Sequence, residues 1–210
     1  MGEYDLHSLI LACDFRVDDV DRMWQWVNKH DDGLALMGAH HVVLYTSIWE
    51  PRRVLVTIGI RHARSIRELL RLPEIFEWFS ISGADDIPPI FGGEVVEKID
   101  LYGRTPDEHV GRVIVGVMAT VDDVSELMVK VHDGVERFKS GGVRKIWVYQ
   151  ALDDGREVMI LQEIEDESTA RQWIEHPDAA AEWMSKAGFG AYPKQFVGRF
   201  AHLMTVGEKV

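Results

Sequence analysis

The sequence predicts an α+β protein that consists of two similar βαββαβ halves, residues 1–104 and 105–210. Two observations lead to this prediction. The motif Val-Asp-Asp-Val stands at 17–20 and again at 121–124, and further positions match at the same step along the chain. Each half also shows the same order of strand and helix patterns. A repeat of this length indicates a duplicated domain, because the units of solenoid proteins are only about 20–50 residues long.

The composition is that of a globular protein, with 46% hydrophobic and 28% charged residues among 210. The net charge of −12 disfavours nucleic acid and anionic membranes as partners, because both require clustered positive charge. The longest apolar runs are far shorter than the roughly 18 residues that a membrane span requires. A single cysteine, Cys13, lies in an apolar strand pattern and predicts a buried, inert thiol. We expect a cytoplasmic protein without disulfides.

Each half begins with an apolar strand, at 8–15 and 112–120, which leads into a helix. Apolar residues recur there at helical spacing, with Val20, Met23 and Val27 on one face in the first half. The two aspartates of each Val-Asp-Asp-Val motif stand at the helix start, where carboxylates are favoured. Gly38 and Gly142 are expected to end these helices.

The remaining elements follow at matching positions. Second strands are predicted at 41–48 and 145–152, third strands at 54–60 and 158–164, and last strands at 95–101 and 196–204. The second helix of each half carries a predicted capping box, Ser65 with Glu68 and Thr169 with Gln172. The order is that of a ferredoxin-like unit, whose helices cover one sheet face only. We expect the two sheets to pack face to face as an intrachain α/β barrel.

At this point the chain resembles the dimeric α/β-barrel superfamily, in a tandem, fused form. The stretch 168–200, with Trp173, His176, Pro177 and Trp183, is similar to the second helix and last strand of the antibiotic-biosynthesis-monooxygenase type. The superfamily includes cofactor-free monooxygenases, haem-degrading enzymes, haem-dependent peroxidases, isomerases and proteins with no known reaction. A shared fold therefore does not choose a function. The haem degraders pair an Asn on the first strand with a histidine on the second helix, and neither first strand here contains Asn.

His176 is the candidate catalytic residue, as a proton-transfer group. Its counterpart in the first half is Leu72, so the position is either a satisfied core histidine or a site group in one half only. Trp173 lies one helical turn earlier and shares its face. Core packing is the alternative interpretation for this tryptophan.

Three further aromatic residues complete the predicted ligand-binding set. Tyr45 and Tyr149 stand at matching places on the second strands, and Trp183 belongs to the stretch that carries the resemblance. No metal site is predicted. His40 and His41 are adjacent on a strand, and alternation would point them to opposite faces.

The sequence thus predicts a pocket between helices and sheet that binds a small apolar molecule, aromatic or acyl, and it favours the second half around Trp173, His176 and Tyr149. The alternative is a cofactor-independent monooxygenase or isomerase. A haem-binding protein is a further alternative, although no cofactor is expected. A last alternative is an assembly module whose pockets are filled by tryptophan side chains. The fused halves permit a monomer, and a homodimer is the alternative.

Overall fold

The structure, a computed structural model, describes residues 9–61, 88–103, 112–175 and 195–207. These residues form eight strands and five helices, which confirms the α+β class. The elements of the earlier half are β1 Leu9–Arg16, α1 Val20–Lys29, α2 Asp31–Leu36, β2 Ala39–Ser47, β3 Arg53–Ile60 and β4 Ile90–Asp100. Those of the later half are β5 Val113–Thr120, α3 Val124–Asp133, α4 Val135–Ser140, β6 Val143–Ala151, β7 Glu157–Ile164, α5 Glu167–Glu175 and β8 Gln195–Thr205.

The chain divides into two compact units. The first unit contains residues up to Glu94 together with those from Ala201 onward, and the second unit spans Val95–Phe200. The first unit is therefore discontinuous in sequence. These units are defined by contacts in space, whereas the predicted halves 1–104 and 105–210 are defined by the repeat in the sequence. The duplication and the packing of the two sheets stay predictions.

Both units contain an antiparallel sheet of the same order. In the first unit β1 lies between β3 and β4, and β2 pairs with the other edge of β3. In the second unit β5 lies between β7 and β8, and β6 pairs with β7. The central strand β3 is buried along its whole length, as its β-branched and apolar sequence predicts.

The helix starts are where the Val-Asp-Asp-Val motifs predict them. The Asp19 side chain accepts a hydrogen bond from the Arg22 amide at 3.0 Å, and Asp123 accepts one from the Glu126 amide at 2.9 Å. Both aspartates are N-caps with extended backbones. The Thr169 capping box is wrong, because α5 begins earlier and Asp166 accepts from the Thr169 amide at 2.8 Å. The matching box of Ser65 and Glu68 lies outside the described residues.

The first helix of each half is interrupted, which the sequence did not predict. His30 separates α1 from α2, and Gly134 separates α3 from α4. Gly38 and Gly142 then adopt φ of 81° and 77°, a left-handed conformation that favours glycine, and so end the helical segments as expected. Among the described residues, none of the helices has the length and apolarity that a membrane crossing requires.

The core of the first unit lies between its helices and its sheet. It contains alternate residues of the strands, such as Leu11 and Cys13 on β1 and Val56 and Ile58 on β3, together with Val27 of α1. Because alternate strand residues share a face, this assigns one face of the sheet to the helices. The candidate site is on this face.

Candidate functional site

A cavity of about 280 Å³ lies between the helices and the sheet of the first unit. Its walls are mainly apolar. The strands contribute Leu11, Cys13, Val42, Ile58 and Ile90, and the helical side contributes Trp26, Val27, Leu34 and Met37. An apolar cavity with a few polar groups is typical of small-molecule sites.

The polar groups of the cavity come from the junction of α1 and α2. Lys29, His30 and Asp32 line it there, and all three are exposed to solvent. They therefore form its mouth rather than its floor. The His30 ring stacks on Trp26, with centroids 4.2 Å apart and planes at 24°, and its Nδ1 lies 2.8 Å from the Trp26 carbonyl oxygen.

Cys13 lines the cavity wall and is only 3% exposed. Burial raises the pKa of its thiol well above the ordinary value, and the neighbouring Asp14 charge acts in the same direction. A nucleophilic thiolate is therefore disfavoured here. The expectation of a buried thiol is confirmed, and its inertness stays a prediction.

In the second unit, Trp173 occupies the place that matches this cavity. Its Nε1 donates to Gln162 Oε1 at 3.1 Å, and its ring packs on Phe138 at 5.7 Å between centroids. The Trp173 ring also lies against Gly141, and a Cβ atom added to this glycine would be only 2.2 Å from the ring. The first-half counterparts of Gln162, Phe138 and Gly141 are three residues that line the cavity. They are Ile58, Leu34 and Met37.

The structure does not bring Trp173 and Tyr149 together. Gln162, which bonds Trp173, stands opposite Ile146 in the pairing of β6 with β7. Residues opposite each other point to the same side, so Ile146 faces α5. Tyr149 is three positions further along β6, so its side chain points to the opposite face of the sheet, away from α5. Burial raises the pKa of the Tyr149 hydroxyl.

Tyr45 likewise points away from the cavity of its own unit, because Val42 lines the cavity and Tyr45 is three positions further along β2. His176 and Trp183 lie outside the described residues. The catalytic role of His176 and the ligand-binding roles of the four aromatic residues stay predictions.

His40 and His41 depart from the alternation that the sequence analysis assumed. A register shift between Ala39 and His41 brings their Nδ1 atoms to 2.7 Å. Gly59, on the paired strand, leaves room for both rings, which an added Cβ would meet at 2.5 Å. The argument that the two rings point apart is therefore wrong. Among the described residues, no group of three or more His, Cys, Asp or Glu side chains is arranged to hold a metal ion.

The sequence predicted a pocket between helices and sheet but favoured the second half, and it did not single out His30. One difference between the halves could have indicated the first-unit cavity: the second half has Trp173 in place of Leu69 and Gly141 in place of Met37. Such a paired exchange of sizes indicates a side chain that fills space. His30 opposite Gly134 was a further difference between the halves.

Neither a family model nor a curated protein matches this chain. Solved structures do match. An anthrone oxidase-like protein is 13% identical, has a TM-score of 0.73, and is aligned over 100% of this chain and 98% of its own.

The chain shares its fold with this anthrone oxidase-like protein.

Two further structures share this fold. A monooxygenase-like protein of Listeria innocua is 9% identical with a TM-score of 0.51, covering 95% of this chain and 98% of its own. A heme-binding protein of Thermus thermophilus is 15% identical with a TM-score of 0.54, covering 94% and 92%. At these identities the likeness shows the fold alone, and it agrees with the resemblance identified from the sequence.

Proposed function

We propose that this protein binds a small, ring-bearing apolar molecule in the cavity of the first unit. The observation that carries the proposal is the volume of about 280 Å³ with apolar walls. An apolar cavity of about 150 Å³ takes one benzene ring, so this cavity suits about two fused rings. The proposed ligand site is thus in the first half, whereas the sequence favoured the second.

We also propose that the two halves are diverged copies of one ancestral unit, because their elements are equally spaced. A comparison of the two copies supports the assignment of the ligand to the first unit. In the second copy Trp173 occupies the matching place and holds it through Gln162. In the first copy, the residues that match Gln162, Phe138 and Gly141 line the cavity instead. One copy then serves stability and the other binding.

The test is the binding of 2-methylnaphthalene, followed by its fluorescence in a titration. We expect saturable binding of one molecule per chain. Leu34→Phe introduces the larger residue of the second half, and filling the cavity should weaken binding about tenfold. Leu36→Phe is the matched control, because Leu36 lies on the same helix and is 75% exposed. It should bind as the unaltered protein does.

Cys13 provides an independent readout, since it is the only cysteine of the chain and lines the cavity. Because the thiol is buried, N-ethylmaleimide reaches it only when the fold opens locally, and bound 2-methylnaphthalene should suppress that opening and slow the alkylation. Binding that leaves the alkylation rate unchanged, or that Leu34→Phe and Leu36→Phe affect alike, would place the ligand elsewhere. An absence of saturable binding would contradict the proposal itself.

A second candidate function is a cofactor-independent monooxygenase or isomerase, supported by the fold shared with an anthrone oxidase-like protein. In this proposal His176 transfers the proton. Oxygen consumption after addition of anthrone should exceed the rate with heat-denatured protein, and His176→Leu, which introduces the first-half residue, should abolish the excess. Equal rates with native and denatured protein would argue against this activity.

Haem does not fit the first-unit cavity, because a macrocycle of four pyrrole rings needs more room than two fused rings. A visible absorption spectrum of the purified protein tests haem binding elsewhere in the chain. A Soret band would support it.

A further inference from the structure

We infer that His30 determines the specificity of the first-unit cavity, by accepting a hydrogen bond at Nε2 from the hydroxyl group of a two-ring ligand. The inference rests on the proposed function and deepens it. It selects phenols of the naphthol class over hydrocarbons of the same size.

The hydrogen bond between His30 and Trp26 fixes which ring nitrogen is available. A carbonyl oxygen can only accept, so the contact of 2.8 Å to the Trp26 oxygen requires a proton on Nδ1. In the neutral imidazole the other nitrogen, Nε2, then carries the lone pair. His30 is thus prepared to accept a hydrogen bond.

The position of the ring is fixed as well as its tautomer. It stacks on Trp26 one helical turn earlier, and both residues line the cavity. His30 stands at the interruption between α1 and α2, outside regular helix geometry. The matching residue of the second unit is Gly134, which has no side chain to accept a ligand bond. The acceptor therefore occurs in the unit with the cavity.

The other polar side chains at the mouth of the cavity would not select a neutral phenol as His30 does. The ammonium group of Lys29 can only donate, so it would favour an anion. Asp32 could also accept from a hydroxyl group, but it takes part in another interaction. The walls deeper in the cavity, such as Leu11 and Val42, cannot accept a hydrogen bond. His30 is the acceptor best suited to a neutral phenol.

The test compares 2-naphthol with 2-methylnaphthalene, which has the same size but no hydroxyl group. Dissociation constants are measured for the unaltered protein, for His30→Phe and for Asp32→Asn. Phe retains a ring that can stack on Trp26 but has no acceptor. We expect His30→Phe to lower the preference for 2-naphthol about tenfold without changing the affinity for 2-methylnaphthalene. A preference that Asp32→Asn lowers as much as His30→Phe does would assign the hydrogen bond to Asp32 and overturn the inference.

Long-range ¹H–¹⁵N NMR provides a readout that does not depend on a variant's stability. The His30 signals of the free protein should show a protonated Nδ1, and 2-naphthol should shift Nε2. A protonated Nε2 with a bare Nδ1 overturns the inference. So does an unchanged preference in His30→Phe while both probes still bind, which leaves the proposed function intact. Failure of both probes to bind overturns the two together.

Discussion

Two buried weak acids, Cys13 and Tyr149, are 3% and 7% exposed. Burial raises the pKa of both side chains, because the charged form would lose its hydration. The folded protein therefore keeps two protons that the unfolded chain gives up at high pH. Stability must then depend on pH on the alkaline side.

We predict that the free energy of unfolding decreases as the pH rises above about 9, the ordinary pKa of a thiol. Above that pH the unfolded thiol loses its proton while the folded one keeps it. The unfolded state then binds fewer protons, so stability falls by up to about 1.4 kcal/mol per pH unit. Below pH 8 this contribution is fully present. Urea unfolding of Cys13→Ala should show a smaller decrease between pH 9 and 10, and equal slopes in both proteins would contradict the explanation.

At the scale of the element, the two Val-Asp-Asp-Val motifs act as helix starts. In each motif the second aspartate bonds a backbone amide of the first turn, whereas the first stands outside the helix. Asp122 and Asp123 are both exposed, so a difference between them would measure capping and not burial.

We predict that Asp123→Ala lowers the free energy of unfolding by about 1 kcal/mol, because the Glu126 amide loses its acceptor. Asp122→Ala is the matched control and should change it by less than about 0.5 kcal/mol. Urea denaturation followed by circular dichroism measures both. If the control costs as much as Asp123→Ala, the aspartates contribute through the helix dipole and not through the cap.

The elements were predictable where a local pattern decides them. Period-two and period-3.6 hydrophobicity indicated the strands and the first helices, and the aspartate pairs marked the helix starts. The interruption at Gly134 was not predictable, because the apolar spacing continues across it from Val131 to Val135. Strand β4 begins at Ile90, five residues before its predicted start, because pairing with β1 compensates for the low strand propensity of Gly92 and Gly93.

The site was less predictable than the fold. A tryptophan such as Trp173 has the same identity whether it lines a pocket or fills it, and the difference depends on the neighbours that the fold supplies. Here Gly141 leaves room for the ring and Gln162 accepts from it. The contact between His40 and His41 depends on a strand irregularity, for which the sequence contains no clear signal.

At the scale of the whole molecule, the first unit is completed by residues far away in the sequence. Val206 is 1% exposed and belongs to the core of the first unit, with Ala201 and Met204 packed against the same core. The Val206 amide donates to the His40 carbonyl oxygen at 2.9 Å, and Arg61 donates to the Val206 carbonyl oxygen at 2.8 Å.

We predict that Val206→Ala lowers the free energy of unfolding by about 2 kcal/mol, through lost burial and the cavity that remains. Hydrogen exchange should show reduced protection in β2 and β3, since these strands belong to the same unit. Val129→Ala is the control, because Val129 is 57% exposed on α3, and it should change stability by less than about 0.5 kcal/mol. Reduced protection confined to β5 and β7 would contradict the assignment of Val206 to the first unit.

The discontinuity of the first unit bears on the order of events during synthesis. Residues 95–200 must be translated before Ala201–Val206 leave the ribosome, so the first unit waits for its own core while the whole second unit emerges. At about 5–20 residues per second, this interval lasts roughly 5–20 s. During that time the nascent strands β1 to β3 expose apolar surface to chaperones and proteases. We expect the N-terminal strands to become resistant to proteolysis only after Ala201–Val206 have been synthesised.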